Sequence, residues 1–441
     1  MKRRYRATPV KRIKGSITVP GDKSVSHRAL MLSGIADGTS EIKGFLPSED
    51  CLSTLKAMQA LGVEVQQRSD TEVRVHGVGM RGLRAANHAL DMGNAGTAIR
   101  LMTGLLCGQL FESRLVGDSS LMKRPMERVA KPLRQMGAKV STVNGTPPVI
   151  TGGHTKLHGI DYDMPMASAQ VKSAILLAAL YAEGATTVTA PAVNRDHSER
   201  MLESCGVELK VEGLKVRLSP PKSLSNQSLS VPGDFSSAAF FIVAGLLGAD
   251  RAGLLIKNVG MNPTRTGLLD ILRAMGANIE VEEARFAGKE PVADLRVHAS
   301  PLTGIEVPKA LVPLAIDEFP VLFIAAACAR GETLVTGAEE LRVKESDRIA
   351  AMSEGFKALR VEHEVLPDGM RISGRPVGAA FGAGTVDSDG DHRIAMAFSV
   401  ASLKAKGPIV IDDVANVATS FPGFAPLASS VGLSLEESAA A

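Results

Sequence analysis

The sequence predicts an α/β protein made of six copies of one unit, in two groups of three that each form a domain. Two observations carry that prediction. A short tag closes a helical stretch six times: LGV ending at Val63, MGA at Ala138, CGV at Val207, MGA at Ala277, a degenerate ALRV at Val361 and VGL at Leu433. Its glycines, Gly62, Gly137, Gly206, Gly276 and Gly432, lie 75, 69, 70 and 156 residues apart, the last interval spanning the degenerate copy, so the period is near 75 residues. The contents also recur: a polar helix start, an Ala/Leu-rich helix, a Gly turn, a β-branched run and a second helix ending on the tag. Such a period exceeds that of common solenoids and favours closed domains.

The first helix of each unit is predicted over residues 23–38 (KSVSHRALMLSGIADG), 94–108, 168–184, 234–248, 317–331 and 392–407. Each is an apolar segment closed by Gly, which tolerates a left-handed C-terminal position. The second helices are predicted over residues 48–62, 123–138, 197–206, 263–277, 345–359 and, more weakly, 422–432. Runs such as TTVTAP, TLVTG and IVIDDV between them read as strands.

Length and composition narrow the function. At 441 residues the chain exceeds the roughly 250–300 at which single cores stop growing. With 45% apolar and 22% charged residues it is globular. No Trp and three Tyr leave little stacking surface for single-stranded nucleic acid. The net charge of +3 comes from the N-terminus, where Lys2, Arg3, Arg4, Arg6, Lys11, Arg12 and Lys14 meet no acid; the remainder carries 43 cations against 47 acids. We expect that segment to be a solvated tail. The longest strongly apolar stretch, residues 235–249, is 15 residues, short of the roughly 20 needed to span a membrane. Cys51, Cys107, Cys205 and Cys328 show no metal or redox spacing and read as reduced, mostly buried thiols of a cytoplasmic protein.

The starts of the first helices are chemically unusual. They read Asp22-Lys23-Ser24 with Arg28, Asn94-Ala95-Gly96-Thr97 with Arg100, Ser168-Ala169-Gln170, Asp234-Phe235-Ser236-Ser237, Asp317-Glu318 and Asp391-His392-Arg393. Capping explains Ser, Asp and Asn. It does not explain the cations, which oppose the helix dipole unless an anion docks there. Taken singly, each cation is more often a solvated surface charge than part of a site. A second concentration, Arg342, Lys344, Glu345, Asp347 and Arg348, reads either as a salt-bridged helix start or as a site pairing cations with proton-transferring carboxylates.

Several patterns lead nowhere. Asp387, Asp389 and Asp391 resemble the start of a calcium loop, but Gly390 falls at the fourth position and Phe398 at the twelfth. His154 and His158 lack a nearby acidic ligand for zinc. No phosphate-binding P-loop, dinucleotide fingerprint or Gly-x-Ser-x-Gly elbow occurs.

The segments PGDKSVSHRAL, GNAGTAIRL, SLMKRPM, SAQVKSAIL, PGDFSSAAFF, DEFPVLFIAAACARGET, LRVKESDRI, DGDHRIAMAF and SFPGF together resemble the 5-enolpyruvylshikimate-3-phosphate synthase family, in its order, across residues 19–424. The resemblance implies two domains of three βαβαββ-type units each, around an interdomain cleft that closes on substrate. The domains would be residues 1–20 plus 235–441, and 21–234. It implies transfer of the enolpyruvyl group of phosphoenolpyruvate to the 5-hydroxyl of shikimate 3-phosphate by addition and elimination. This is a step toward aromatic amino acids that needs no metal or organic cofactor. It further implies a monomer acting on two small molecules, without nucleic acid or membrane.

By motif match, Lys23, Ser24, Arg28, Ser168, Gln170, Arg195, Asp317 and Lys344 would hold shikimate 3-phosphate. Lys23, Gly96, Arg124, Gln170, Arg348 and Arg393 would hold phosphoenolpyruvate. Asp317 would take the hydroxyl proton, and Glu345 would protonate the methylene carbon, with Lys23 as the competing donor. Glyphosate, which resembles phosphoenolpyruvate, is expected to enter the site. Departures from the pattern are Thr419 where many members carry Lys, Glu340 and His197 where some use Asn and Tyr, and Ala169 in place of a second Ser. The related transferase acting on UDP-N-acetylglucosamine carries a catalytic Cys on a Gly-rich loop, and none of the four Cys here sits in one. A closed clamp on nucleic acid is disfavoured by the acidic balance beyond the N-terminus.

Overall fold

A computed structural model describes residues 3–153 and 156–439. Lys2 and His154 lie outside the described residues. The chain divides into two compact units. Unit 1 comprises Met1–Pro20, Gly233–Arg285 and Pro291–Ala441; unit 2 comprises Gly21–Pro232 and Phe286–Glu290.

Twelve helices stand where the repeat places them. In unit 2 they are α1 (Lys23–Gly34), α2 (Glu49–Ala60), α3 (Gly96–Cys107), α4 (Glu127–Gln135), α5 (Ala169–Ala179) and α6 (His197–Ser204). Unit 1 holds α7 (Phe235–Gly248), α8 (Gly267–Ala274), a one-turn α9 (Val312–Ala315), α10 (Phe319–Ala327), α11 (Arg348–Ala358), α12 (His392–Ala401) and α13 (Phe424–Ser430). The first helices pack on one another at the centre of each unit, α3 on α1 and α5, and α10 on α7 and α12. They are buried nearly all round, which is why they read as continuous apolar runs. The second helices are amphipathic: α4 buries Val129, Ala130, Pro132 and Leu133 and leaves the opposite face to water. No single helix among the described residues is long and apolar enough to cross a membrane.

Each unit carries three sheets of one plan, a parallel pair extended by antiparallel strands. In unit 2, Ser228–Ser230 runs parallel to Asp37–Lys43, which pairs antiparallel with Glu72–Val78 and through it Glu64–Gln67. The same order recurs in Leu90–Asp91, Ser113–Val116, Thr146–Thr151 and Val140–Val143, and in Asp161–Asp163, Thr186–Thr189, Lys215–Leu218 and Leu209–Glu212. In unit 1 the degenerate copy keeps three strands, Gly331–Val335, Gly369–Gly374 and His363–Leu366; isolated parallel bridges at Thr303 and Glu306 stand in place of the fourth.

The basic N-terminus is not a solvated tail. Arg3–Thr8 lies between Ile409–Asp412 and Ser434–Ala439 in one sheet, and Ile13–Thr18 runs parallel to Ala249–Gly260 in another. Tyr5, Ala7, Ile13 and Ile17 point into the core. Arg4 and Arg6 take the other face, where Arg4 meets Asp412, while Arg3, at the exposed start of the strand, meets Glu437, each at 2.9 Å. Alternation with period two was present, but the density of charge masked it.

The tags close their helices in one way. At all six, the second residue after the helix has positive φ: Gly62 +93°, Gly137 +93°, Gly206 +87°, Gly276 +96°, Gly432 +96° and, in the degenerate copy, Arg360 +60°. Each donates to the carbonyl three residues back, and the next residue to the one five back, as in Val63 to Met58 and Val361 to Phe356. The Gly after the first helices is less uniform. Gly184 and Gly331 are left-handed, whereas Gly108 has φ −83° and is needed because a side chain there would collide with the Tyr181 ring.

Candidate functional site

In unit 2 the charged helix starts are tied to partners far along the chain. Asp22 caps α1 by accepting from the Val25 amide at 2.9 Å. Lys23 Nζ lies 2.9 Å from Asp50 Oδ2 on α2. Arg28 is buried; its Nε donates to Ser198 Oγ (2.7 Å), Nη2 to Ser173 Oγ (2.8 Å) and Nη1 to the carbonyl of Ser24 (2.9 Å). Burial pulls Arg28 down to about 10; Glu199, Asp22 and Glu290 oppose the shift, while Arg195 adds to it. Arg28 and Arg195 therefore share one electrostatic neighbourhood.

The start of α3 carries no capping side chain, since Ala95 holds the cap position, so its first backbone N–H groups meet no side-chain oxygen. Arg124 reaches over it, donating through Nη2 to Asn94 Oδ1 at 2.5 Å; a methyl group built on Gly96 would fall 2.7 Å from Arg124 Nη1. Asn94 in turn donates to Asp118 at 2.7 Å. Arg100 donates to Gln170 Oε1 (2.5 Å), and Gln170 Nε2 donates to Thr97 Oγ1 (3.0 Å), which joins the starts of α3 and α5. Ser168 caps α5 at the Val171 amide. Behind these groups lie a buried ion pair, Lys172 with Glu199, and a buried contact between His197 Nδ1 and Glu290 Oε1 at 2.7 Å.

Unit 1 gathers a second set around Arg348, whose side chain is 1% exposed. Its Nε lies 2.8 Å from Asp391 Oδ2, Nη2 2.6 Å from Glu345 Oε2 and Nη1 3.3 Å from Asp317 Oδ1. Burial works against the cation, but Asp391, Glu345 and Asp317 outweigh it and raise its pKa. Asp391 is likewise buried, yet Arg348 and His392 hold it below the usual carboxylate value. Lys344 Nζ is 3.6 Å from Asp317 Oδ1, and Arg393 Nη1 donates to the Asp317 carbonyl at 3.0 Å. Asp317 thus has two cations at its carboxylate and a third at its main-chain carbonyl. Glu318, beside it, is buried against Ser236 and 3.7 Å from Arg393.

The motif residues thus fall into two sets. Lys23, Ser24, Arg28, Gly96, Arg124, Ser168, Gln170 and Arg195 belong to unit 2, and Asp317, Lys344, Glu345, Arg348 and Arg393 to unit 1. Glu340 lies 4.0 Å from Lys344, and Thr419 is turned onto its own helical turn, donating to Asn416 O at 2.7 Å. Sequence reasoning missed Asp50, Ser173, Lys172 with Glu199, Ser198 and the role of Asp391. A lysine inside the apolar run of α5 was the one available signal. Among the described residues no group of three or more His, Cys, Asp or Glu is arranged to hold a metal ion.

The described geometry has close relatives. The family described as EPSP synthase (3-phosphoshikimate 1-carboxyvinyltransferase) matches residues 7–427. The 3-phosphoshikimate 1-carboxyvinyltransferase of Alkalilimnicola ehrlichii is 55% identical over 98% of this chain and 96% of its own length. That of Methylococcus capsulatus is 53% identical over 98% of both. An EPSP synthase structure from Acinetobacter baumannii superposes with a TM-score of 0.90 at 51% identity, over 99% of this chain and all of that one. With its six-unit α/β fold and nearly full-length matches, the chain belongs to the EPSP synthase family of transferases.

Proposed function

We propose that the protein transfers the enolpyruvyl group of phosphoenolpyruvate to the 5-hydroxyl of shikimate 3-phosphate and releases phosphate. The observation that carries this reading is the Asp317 carboxylate held between Lys344 and Arg348, with Arg393 on its main-chain carbonyl, inside a chain of this family. A carboxylate placed there is suited to accept the hydroxyl proton as oxygen attacks C2 of phosphoenolpyruvate. A proton delivered to the methylene carbon completes a tetrahedral adduct. Its collapse with loss of a proton expels phosphate and restores the double bond.

In this reading Lys23, Ser24, Arg28, Ser168, Gln170, Arg195, Asp317 and Lys344 hold shikimate 3-phosphate. Lys23, Gly96, Arg124, Gln170, Arg348 and Arg393 hold phosphoenolpyruvate, the uncapped start of α3 offering backbone N–H groups to its charge. The arginines stabilise the adduct and departing phosphate electrostatically. Glu345 is the proton donor to the methylene, with Lys23 as the second candidate. The four Cys are free, in keeping with a reducing cytoplasm.

The test is phosphate release from phosphoenolpyruvate in the presence and absence of shikimate 3-phosphate. Release that requires both substrates supports the reading, and release without the second one overturns it. Asp317→Ala is expected to keep the unfolding profile and lose at least about a hundred-fold in kcat, the low end of what a positioned base contributes. Glyphosate is expected to compete with phosphoenolpyruvate in the same assay.

A further inference from the structure

We infer that Ser173 and Ser198 are positioning residues for this reaction: they clamp one edge of the Arg28 guanidinium so that its other N–H groups form a fixed fork for an anionic group of shikimate 3-phosphate. The inference rests on the function proposed above. Arg28 has five N–H donors in one plane. Nε and Nη2 lie along one edge of that plane, and they donate to Ser198 Oγ at 2.7 Å and Ser173 Oγ at 2.8 Å. The two hydroxyls are themselves joined, Ser198 Oγ donating to Ser173 Oγ at 2.7 Å, so they act as a two-point clamp. Nη1 spends one N–H on the Ser24 carbonyl at 2.9 Å. One N–H on Nη1 and one on Nη2 remain, the spacing that suits two oxygens of a carboxylate or phosphate.

The clamp is built to hold. Ser173 is fully buried on α5 and Ser198 is 3% exposed on the first turn of α6. Each has as its chain neighbour one member of the buried pair Lys172–Glu199, so the same ion pair that ties α5 to α6 fixes the distance between the serines. Glu199 is also the largest of the opposing fields that keep buried Arg28 charged. Without the serines the guanidinium keeps its charge but loses its orientation, and a bidentate partner must then order it on binding.

The full chain carrying Ser173→Ala, Ser198→Ala, Ser198→Cys or Ser198→Thr tests this by steady-state phosphate release, with thermal unfolding measured on each. Both Ala variants are expected to raise KM for shikimate 3-phosphate at least about ten-fold, with KM for phosphoenolpyruvate and kcat within about two-fold. Ser198→Thr, which keeps the hydroxyl, is expected to restore KM to within about three-fold. Should an Ala variant fail to fold, Ser198→Cys, similar in shape but a poor acceptor, is expected to show the same split. An unchanged KM for shikimate 3-phosphate, or both KM values rising together in a protein with wild-type unfolding, overturns the inference. A wild-type chain that shows no turnover with the two substrates overturns the proposed function instead, which keeps the two failures apart.

Discussion

A methyl group on Gly96 would meet Arg124 Nη1 at 2.7 Å, but the atom it meets is the far end of a flexible side chain. Gly96→Ala is therefore expected to fold normally while displacing that guanidinium. KM for phosphoenolpyruvate should rise about ten-fold and that for shikimate 3-phosphate stay nearly constant, the size of effect a small misplacement of a charged clamp produces. At Arg28 the pH dependence has a definite sign. Its pKa is lowered to about 10, so the cation is complete below that pH and is lost as pH rises through it. Productive binding of shikimate 3-phosphate should fall above about pH 10. Glu199→Gln removes an opposing field and should move that fall to lower pH, read from kcat/KM against pH. Lys23 and Arg28 stood out in the sequence because a cation at a helix start contradicts the helix dipole, and Arg348 because it belongs to a dense run of charge. Their partners were not: Ser198 is 170 residues from Arg28, and no local rule connects them.

The six closing turns behave as one design with one irregular copy. Arg360 holds φ +60° where the other five tags use Gly, a conformation costing a side chain about 1–2 kcal/mol. Arg360→Gly should stabilise the protein by roughly 0.5–1 kcal/mol, because the relief is offset by the greater freedom Gly gives the unfolded chain. Gly276→Ala, at φ +96°, should destabilise by a similar amount or more, and thermal unfolding of the pair checks both. Between α5 and α6, breaking the buried ion pair with Glu199→Ala should cost about 3–5 kcal/mol, while replacing both partners by Met and Leu should be nearly neutral. The twelve helices could be read because apolar bodies and Gly ends recur. The strand Arg3–Thr8 could not, since three of its six residues are Arg, Arg4 and Arg6 on the outward face and Arg3 interrupting the face of the buried Tyr5 and Ala7.

Each unit has a hydrophobic cluster of its own, one running from Tyr5 to Leu435 and the other from Val25 to Val231. Unit 2 is continuous apart from residues 286–290. A fragment of residues 21–232 should therefore fold by itself with a cooperative thermal transition, although it lacks the Glu290 partner of His197. A fragment that stays uncooperative would make that short hairpin tip indispensable. The six-fold repeat was legible from the tag spacing, whereas the exchange of five residues at the tip of the hairpin formed by Asn278–Ala287 and Glu290–His298 has no local signal.

In the sheet that holds the N-terminus, Arg3 pairs with Ala439 and Thr8 with Ser434. Arg3–Thr8 thus receives its neighbours only after residues 409–412 and 434–439 have been made. Unit 2 can collapse while synthesis continues, but this sheet of unit 1 has to wait for residues 434–439, with Tyr5 and Ala7 exposed in the meantime. Arg3, Arg4 and Arg6 around them are well placed to keep that waiting strand apart from others of its kind.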